Sequence, residues 1–164
     1  MSVIKTPLIT KEEIKDFQKA VEHELYASHF YLYLASCTQK QGYFGFQKFF
    51  EKEAKDELKH YKGIRDILNT FGVEAEMPTI EEVDIDAESP EMLFSEALEL
   101  EKELQDFYEA MAGRSSYRVV QAILPYLEIQ RLSVGEYMDI LSRMALVDGN
   151  KAGMLMIDQE LGGE

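Results

Sequence analysis

Four segments of this 164-residue chain carry apolar residues at the spacing of one helix face, and three of these faces are interrupted by a glutamate. The interrupting residues are Glu24, Glu57 and Glu101, and the fourth face carries Gln130 at the corresponding level. Charged side chains are rarely buried unless they are paired or bind a metal. Carboxylates that meet inside one core repel each other, and divalent cations relieve that repulsion. The sequence therefore predicts an all-α bundle with a metal site between its helices.

Capping and turn residues mark the ends of the predicted helices. Thr10 followed by Glu13 is a capping box, Gly42 is a helix break, and Ser89–Pro90 is an N-cap followed by proline at the first helical position. Pro125 lies inside the fourth helix and is expected to kink it or to loosen one turn. The predicted ranges are 11–40, 43–71, 90 to a turn at 113–116, and 117–147.

The connection over residues 73–88 determines the topology. About 16 extended residues span roughly 53–58 Å, whereas a helix of about 28 residues is roughly 42 Å long. The connection can therefore return along the whole bundle and place the third helix parallel to the second. We predict one domain over residues 1–164, with a four-helix bundle over about 11–147 and one long crossover between helices two and three. A short fifth helix is predicted over about 151–161, and an oligomer interface is its expected docking partner.

Composition excludes several classes of function. The chain has 31 acidic and 17 basic residues, a formal charge of −14, which argues against nucleic-acid binding. No apolar run approaches the ~18 residues of a membrane span, and the first residues lack the apolar core of a signal peptide. Cys37 is the single cysteine, so a disulfide framework is excluded. A reducing, cytoplasmic location is therefore expected.

Glu57 and His60 form the strongest local motif. Residues at positions i and i+3 share a helix face, so a carboxylate oxygen and an imidazole nitrogen can bind the same ion. Such a pair is common by chance, but both residues fall on the apolar stripe that includes Phe50 and Ile64. The known arrangement of di-iron carboxylate bundles is a Glu from each of two helices and a Glu-x-x-His from each of the other two. This chain departs from that arrangement on its fourth helix, which has Gln130 and no second histidine.

The departure predicts two unequal metal positions. One ion would be bound by Glu24, Glu57 and His60, and the other by the bridging Glu57 and by Glu101, with Gln130 acting through water. Oxygen ligands with one imidazole suit Fe, Mn or Zn. Ferrous iron reacting with dioxygen is the chemistry that most needs a paired site, because two electrons can leave together.

At these residues the chain resembles the ferritin family, specifically the non-haem bacterial ferritins. The resemblance covers nearly the whole chain in order, including the crossover, and the tail at 152–155 and 158–162 is similar to the short fifth helix of that family. The matching segments are Glu24-Leu25-Tyr26-Ala27-Ser28 with Tyr31, Asp56-Glu57-Leu58-Lys59-His60, Leu100-Glu101-Lys102, and Tyr126-Leu127 with Gln130.

The resemblance implies a ferritin-like fold and ferroxidase activity, in which dioxygen or hydrogen peroxide oxidises Fe(II) at a di-iron site. The ferric product would be stored as mineral inside a homo-oligomeric cage of 24 subunits. By the same resemblance Glu24, Glu57 and His60 bind the first iron, and Glu57 and Glu101 bind the second. Gln130 is a residue of the second position. Tyr31 is expected either to hydrogen-bond a ligand or give an electron, or to serve only as a core residue.

Several residues depart from the family's patterns. Leu58 stands where bacterioferritins have the haem-ligating methionine, so haem is not expected. Ile129, Leu132 and Ser133 stand where many bacterial ferritins have acids of a third iron site, so a complete third site is not expected. Val120 and Ile123 align with the acids that line the three-fold channel of animal ferritins, which leaves the route of iron entry open.

Three further acids have simpler interpretations. Glu53, one turn from Glu57, would either support the metal site or pair with a lysine of a neighbouring helix, and the lysine pair is favoured. Asp56 and Glu128 are expected to be exposed acids rather than ligands.

Two other functions fit the same bundle. A di-metal redox enzyme is the first alternative, but a peroxide reductase of the rubrerythrin kind would need a Cys-x-x-Cys domain, and an oxygenase would need a substrate pocket. A structural shell with a degenerate metal site is the second, because the fourth helix lacks ligands. A DNA-protecting mini-ferritin is opposed by the in-bundle ligands and the fifth helix.

Overall fold

The computed structural model describes residues 6–163, and that part of the chain contains five α-helices and no strand. The predicted all-α architecture is confirmed, and the helix ends agree with the sequence within one or two residues. The predicted end of the third helix was wrong. Gly113 and Arg114 continue that helix, and the turn is confined to Ser115 and Ser116. The helices are α1 (Lys11–Gln41), α2 (Phe44–Thr70), α3 (Pro90–Arg114), α4 (Tyr117–Val147) and α5 (Lys151–Gly162).

The predicted caps fix where these helices begin and end. Thr10 and Glu13 form the reciprocal capping box, with bonds of 3.0 and 3.1 Å between each backbone N–H and the other side chain. Gly42 ends α1 in the left-handed conformation at φ 89°, which glycine adopts without a steric penalty. Ser89 accepts the backbone N–H of Met92 at the start of α3. The helix α4 continues without interruption through Pro125.

The crossover over residues 73–88 runs along the bundle, as predicted. Its beginning is held on α1 by the Gln18 amide, which donates to the Glu74 carbonyl and accepts the Glu76 N–H, both at 3.0 Å. Val73 and Ile80 pack against the hydrophobic cluster at one end of the bundle, and Val83 and Ile85 pack against the cluster at the other end. The long connection therefore spans the bundle between α2 and α3.

The bundle interior consists of two hydrophobic clusters separated by a polar layer. One cluster includes Phe17, Ile64 and Tyr108, and the other includes Phe50 and Phe94. On α2, α3 and α4 a buried polar residue lies between the stretches that contribute to the two clusters, and on α1 such a residue lies next to Leu25, at the end of one stretch. These residues are Glu24, Glu57, Glu101 and Gln130, with exposures of 0, 3, 0 and 1 %.

The helix α5 docks on its own chain rather than presenting its apolar residues only to a partner. Its inward side chains Met154, Ile157 and Leu161 belong to the cluster that contains Phe50. Leu155 and Met156 point outward and are exposed. The prediction that α5 requires a docking partner is met by α2 within the same chain. None of the helices in residues 6–163 combines the length and the apolar character needed to cross a bilayer.

Candidate metal centre

Glu24, Glu57 and His60 converge inside the bundle. Their ligand atoms lie within 4.8 Å of one another, and within residues 6–163 they form the one group of three or more metal-binding side chains this close together. His60 Nδ1 lies 3.0 Å from Glu57 Oε2 and 3.6 Å from Glu24 Oε2. Both carboxylates are buried, while the His60 side chain retains 18 % exposure. We call these three residues the triad.

Two features of the sequence bring the triad together. Glu57 and His60 are one turn apart on α2, so both side chains leave the same face. The connection between α1 and α2 is only two residues long, so these helices are antiparallel neighbours. Close to the triad, Ser28 on α1 donates to the Ala54 carbonyl on α2 at 2.9 Å. This buried bond fixes the height of Glu24 relative to Glu57.

The carboxylate of Glu24 has one occupied oxygen and one free oxygen. Tyr108 on α3 donates its hydroxyl to Oε1 of Glu24. Oε2, which faces His60, has no hydrogen-bond partner among the residues that the structure describes. A buried carboxylate oxygen without a partner is costly. A cation placed between Glu24, Glu57 and His60 would satisfy it, so the residues present fit a divalent metal.

Glu101 lies on the opposite pair of helices and has a different environment. Tyr31 on α1 donates its hydroxyl to Oε1 of Glu101. Gln130 on α4 donates its amide to Oε2 at 2.8 Å and approaches the Glu101 carbonyl at 3.4 Å. The structure thus brings Tyr31, Glu101 and Gln130 into one network, but Glu101 is not part of the close group formed by the triad.

Aromatic rings enclose both halves of the polar layer. Tyr31 stacks between Phe50 and Tyr137, with ring centroids 6.0 and 6.2 Å apart. On the other side, the ring of Tyr126 stacks on Tyr108 at 5.9 Å, and it meets His60 edge-on at 6.0 Å. These rings exclude bulk water from the carboxylates, which strengthens the electrostatic interactions among them.

Sequence reasoning missed Tyr108 and Tyr126 as residues of the centre. Tyr108 lies two turns after Glu101 on the same face of α3, and its hydroxyl is the signal in the sequence that could identify it. A buried tyrosine needs a partner for its hydroxyl. The position of Tyr126 depends on Gly63, where an added Cβ would lie 2.0 Å from the Tyr126 hydroxyl.

Electrostatics in the triad favour bound protons when no cation is present. Burial acts to lower the pKa of His60, but its interactions with Glu24 and Glu57 outweigh burial and raise the pKa to about 10. Burial raises the pKa of Glu57 well above its usual value. Burial also acts to raise the pKa of Glu24, but the neighbouring His60 and Glu57 bring it below its usual value. The three groups therefore share protons that a metal would have to displace.

Glu53 has a partner that the sequence did not indicate. The favoured interpretation was a lysine of a neighbouring helix, but the structure places the Tyr137 hydroxyl of α4 3.3 Å from Glu53 Oε2. Burial is the main cause that raises the pKa of Glu53 to about 7, and the charges of Glu136 and Glu101 add to it. The lysine interpretation failed because Glu53 lies on the inner face of α2, where its neighbours on α3 and α4 include Tyr137 and the acids Glu101 and Glu136.

The remaining candidate acids lie outside the centre. Asp56 pairs with Lys59 at 2.9 Å and Lys52 at 3.4 Å on its own helix, and the exposed Glu128 pairs with Arg131 at 2.7 Å. The position of Ile123 also differs from what its alignment with the three-fold channel of animal ferritins would require. Ile123 is fully buried in the core of its own chain, so it does not line a passage between subunits.

Comparisons with known proteins agree with this architecture. The sequence profile of the ferritin-like domain matches residues 14–116. A bacterial non-heme ferritin of Staphylococcus aureus is 24% identical over 159 residues, covering 94% of this chain and 96% of the relative. A bacterial non-heme ferritin of Staphylococcus epidermidis is 30% identical over 102 residues, covering 62% of this chain and 61% of the relative.

Solved structures show the same fold. An open pore ferritin from the hyperthermophilic archaeon Archaeoglobus fulgidus superposes with a TM-score of 0.91 at 20% identity, covering 94% of this chain and 98% of that structure. A humanized archaeal ferritin gives a TM-score of 0.91 at 21% identity, with 94% and 96% coverage. The profile spans more than half of the sequence, so the chain belongs to the ferritin family.

Proposed function

We propose that this protein is an iron-storing ferroxidase that oxidises Fe(II) at a paired metal site inside the bundle. The observation that carries the proposal is the fully buried Oε2 of Glu24, which accepts no hydrogen bond from the residues that the structure describes and faces Glu57 and His60. Membership of the ferritin family supports iron as the metal. Iron is the substrate of the reaction and is then the stored product.

We assign the first iron to Glu24, Glu57 and His60. The second iron would share Glu57 with the first and take a carboxylate oxygen from Glu101, with Gln130 beside it. This donor set of carboxylates and one imidazole suits Fe(II). Tyr31 would act on the second position through its hydrogen bond to Glu101.

The proposed reaction transfers two electrons from two Fe(II) ions to one molecule of oxidant. Each of two Fe(II) ions loses one electron, and dioxygen takes up two electrons and two protons to give hydrogen peroxide. With hydrogen peroxide as the oxidant, two electrons and two protons give two water molecules. The aromatic rings around the polar layer would keep bulk water away while the charge on the metals increases. No haem takes part in this proposal, because Leu58 offers no ligand.

We further propose that the ferric product is stored as mineral inside a homo-oligomeric cage of 24 subunits. The exposed apolar residues of the isolated chain are consistent with contacts between subunits, among them Leu32, Leu132, Met138 and Leu155. Light scattering on the purified protein would test the cage independently of the chemistry, and a monomer or dimer would contradict it.

The chemistry is tested by adding Fe(II) without oxygen and then admitting oxygen. The wild-type protein should oxidise about two irons per chain rapidly, as a paired site requires. Replacing the bridging residue in Glu57→Ala should reduce the rate to that of iron in protein-free buffer. The matched control is Glu103→Ala, which removes an exposed carboxylate of α3.

The control should oxidise iron at the wild-type rate. Equal rates for Glu57→Ala and the wild type would contradict the proposed role of the triad. A wild-type rate no faster than that in protein-free buffer would favour a structural shell. Rapid oxidation of an organic substrate instead of iron storage would favour the di-metal redox enzyme.

A further inference from the structure

The three residues of the triad differ in their access to solvent. Glu24 is fully buried and Glu57 is 3 % exposed, whereas the His60 side chain retains 18 % exposure. A cation that arrives from solvent therefore meets His60 before it meets either carboxylate.

The side chain of Tyr126 lies next to the exposed edge of the triad. Tyr126 belongs to α4, and its ring meets the ring of His60 on α2 edge-on, with centroids 6.0 Å apart. The Tyr126 hydroxyl lies against Gly63, one turn after His60 on α2, where a methyl group would overlap with it. The half-buried Tyr126 side chain therefore fills the seam between α2 and α4 beside His60.

The surroundings of Tyr126 differ on the two faces of its side chain. Towards the core it stacks on Tyr108 at 5.9 Å, whereas its remaining surface is partly exposed and can turn towards solvent. The preceding residue, Pro125, has no N–H to bond the Gln121 carbonyl, so this part of α4 lacks one helical hydrogen bond. An outward rotation of the Tyr126 ring leaves the buried carboxylates in place.

We propose that Tyr126 is a gate through which cations enter and leave the triad, and that the gate closes against Gly63. This inference rests on the metal site of the proposed function and adds a route to it. With the ring turned outward, a cation reaches His60 and Oε2 of Glu24, whose nearest atoms are 3.6 Å apart. A gate of this kind controls how fast a metal exchanges and leaves its affinity unchanged, because the same barrier applies to entry and release.

The test is stopped-flow mixing of the metal-free, full-length protein with Co(II) without oxygen, because Co(II) bound to protein ligands absorbs visible light. Protein is kept in excess, and the binding phase that disappears in His60→Ala is assigned to the triad. Tyr126→Ala should accelerate this phase about tenfold or more, since a minor open state is typically populated to about 10 % or less. Release of Co(II) to EDTA should accelerate by the same factor.

Gly63→Ala tests the gate without changing the gating residue. The added methyl group displaces the Tyr126 hydroxyl from α2, so Co(II) should enter faster than in the wild type. Tyr126→Phe retains the ring and should bind at the wild-type rate. Combining Gly63→Ala with Tyr126→Phe should restore the wild-type rate, because the methyl group then occupies the space of the missing hydroxyl. The terminal ring carbon lies 3.3 Å from the added Cβ.

Tyr117→Ala is the matched control, because it removes a tyrosine ring from the same helix at a position that is 94 % exposed. This variant should bind and release Co(II) at the wild-type rates. Circular dichroism verifies that every variant remains helical. If Tyr126→Ala does not fold, Gly63→Ala with and without Tyr126→Phe decides the question.

Rates and affinities together separate the outcomes. An unchanged entry rate in Tyr126→Ala would overturn the gate, and weaker binding at that unchanged rate would show that Tyr126 only supports His60. Equal acceleration by Gly63→Ala with and without Tyr126→Phe would also overturn it, since the effect would not pass through the hydroxyl. A wild-type protein with no binding phase that depends on His60 would overturn the proposed function and the gate together.

Discussion

At the scale of single residues, the triad binds protons at the same atoms that are proposed to bind the first metal. The pKa of His60 is about 10, above its usual 6.5. The stabilisation from its contacts with Glu24 and Glu57 is therefore fully present below about pH 6.5 and is lost as the pH rises through about 10. At neutral pH the imidazole is protonated, and a metal must displace that proton before it can bind the nitrogen.

This charge state predicts that metal binding releases protons. At pH 7, binding of the first equivalent of Zn(II) should release at least about one proton per chain. Calorimetry in buffers with different ionisation enthalpies measures this number directly. In His60→Ala the release should fall, because the imidazole no longer contributes its proton. A binding enthalpy that does not depend on the buffer would contradict the proposed charge state.

The sequence located the buried polar residues but not all of their partners. Glu24, Glu57, Glu101 and Gln130 are nearly fully buried because each lies on an apolar stripe, and helical spacing alone specifies that face. The hydrogen bond from Tyr108 to Glu24 depends on the relative height of α1 and α3. Local sequence does not specify such a height, because it is set by packing between distant segments.

At the scale of helices, α5 is held on α2 by close backbone contact and one buried charge. Asp158 accepts the backbone N–H of Phe46 at 2.7 Å at the start of α2. A Cβ added at Gly45 would lie 1.8 Å from the Asp158 carbonyl oxygen, and one added at Gly162 would lie 2.4 Å from the Gly45 Cα. These contacts require glycine, because the atoms in the way belong to the backbone.

The close backbone contact between α5 and α2 predicts that a glycine-to-alanine substitution changes the stability of the protein in opposite directions at two positions. Gly45→Ala should destabilise the protein by about 2–3 kcal/mol, since backbone atoms must shift. Gly135→Ala, in the interior of α4 with no atom within 4 Å of the added Cβ, should stabilise it by about 0.5–1 kcal/mol. Melting temperatures of the metal-free variants give both changes. Equal melting temperatures would contradict the close packing of α5 on α2.

Helix ends were more predictable than helix docking. The caps at Thr10, Gly42 and Ser89 act within a few residues, so the sequence contained the information. The docking surface of α5 is formed by α2, more than a hundred residues earlier in the chain. The short helix shows an apolar face, but its sequence does not indicate which surface that face meets.

At the scale of the whole molecule, a polar layer divides the hydrophobic core into two clusters. Such a layer costs stability in the metal-free protein, because three carboxylates are removed from water with one histidine and several hydroxyl and amide donors as partners. The cost is offset when cations bind, since ligands that bind only the folded state stabilise it. The architecture therefore couples the stability of the bundle to its proposed cargo.

The order of the elements explains why this layer could be predicted at all. Each of four long helices crosses the layer once, and the crossover sets the direction of α3 and α4 relative to α1 and α2. Residues near the middle of each stripe must then meet at one height. The sequence predicted that these residues lie at one level of the bundle. The hydrogen-bond donors to Glu101 and Glu53 could be identified only from the packed structure.

The most direct measurement is anomalous diffraction from crystals of this protein soaked with Fe(II) under anaerobic conditions. A strong peak is expected between Glu24, Glu57 and His60, and a weaker peak, which strengthens at higher iron concentration, is expected between Glu57 and Glu101. A bundle that shows no anomalous peak between Glu24, Glu57 and His60, with iron bound only at surface carboxylates, would contradict the proposed metal site.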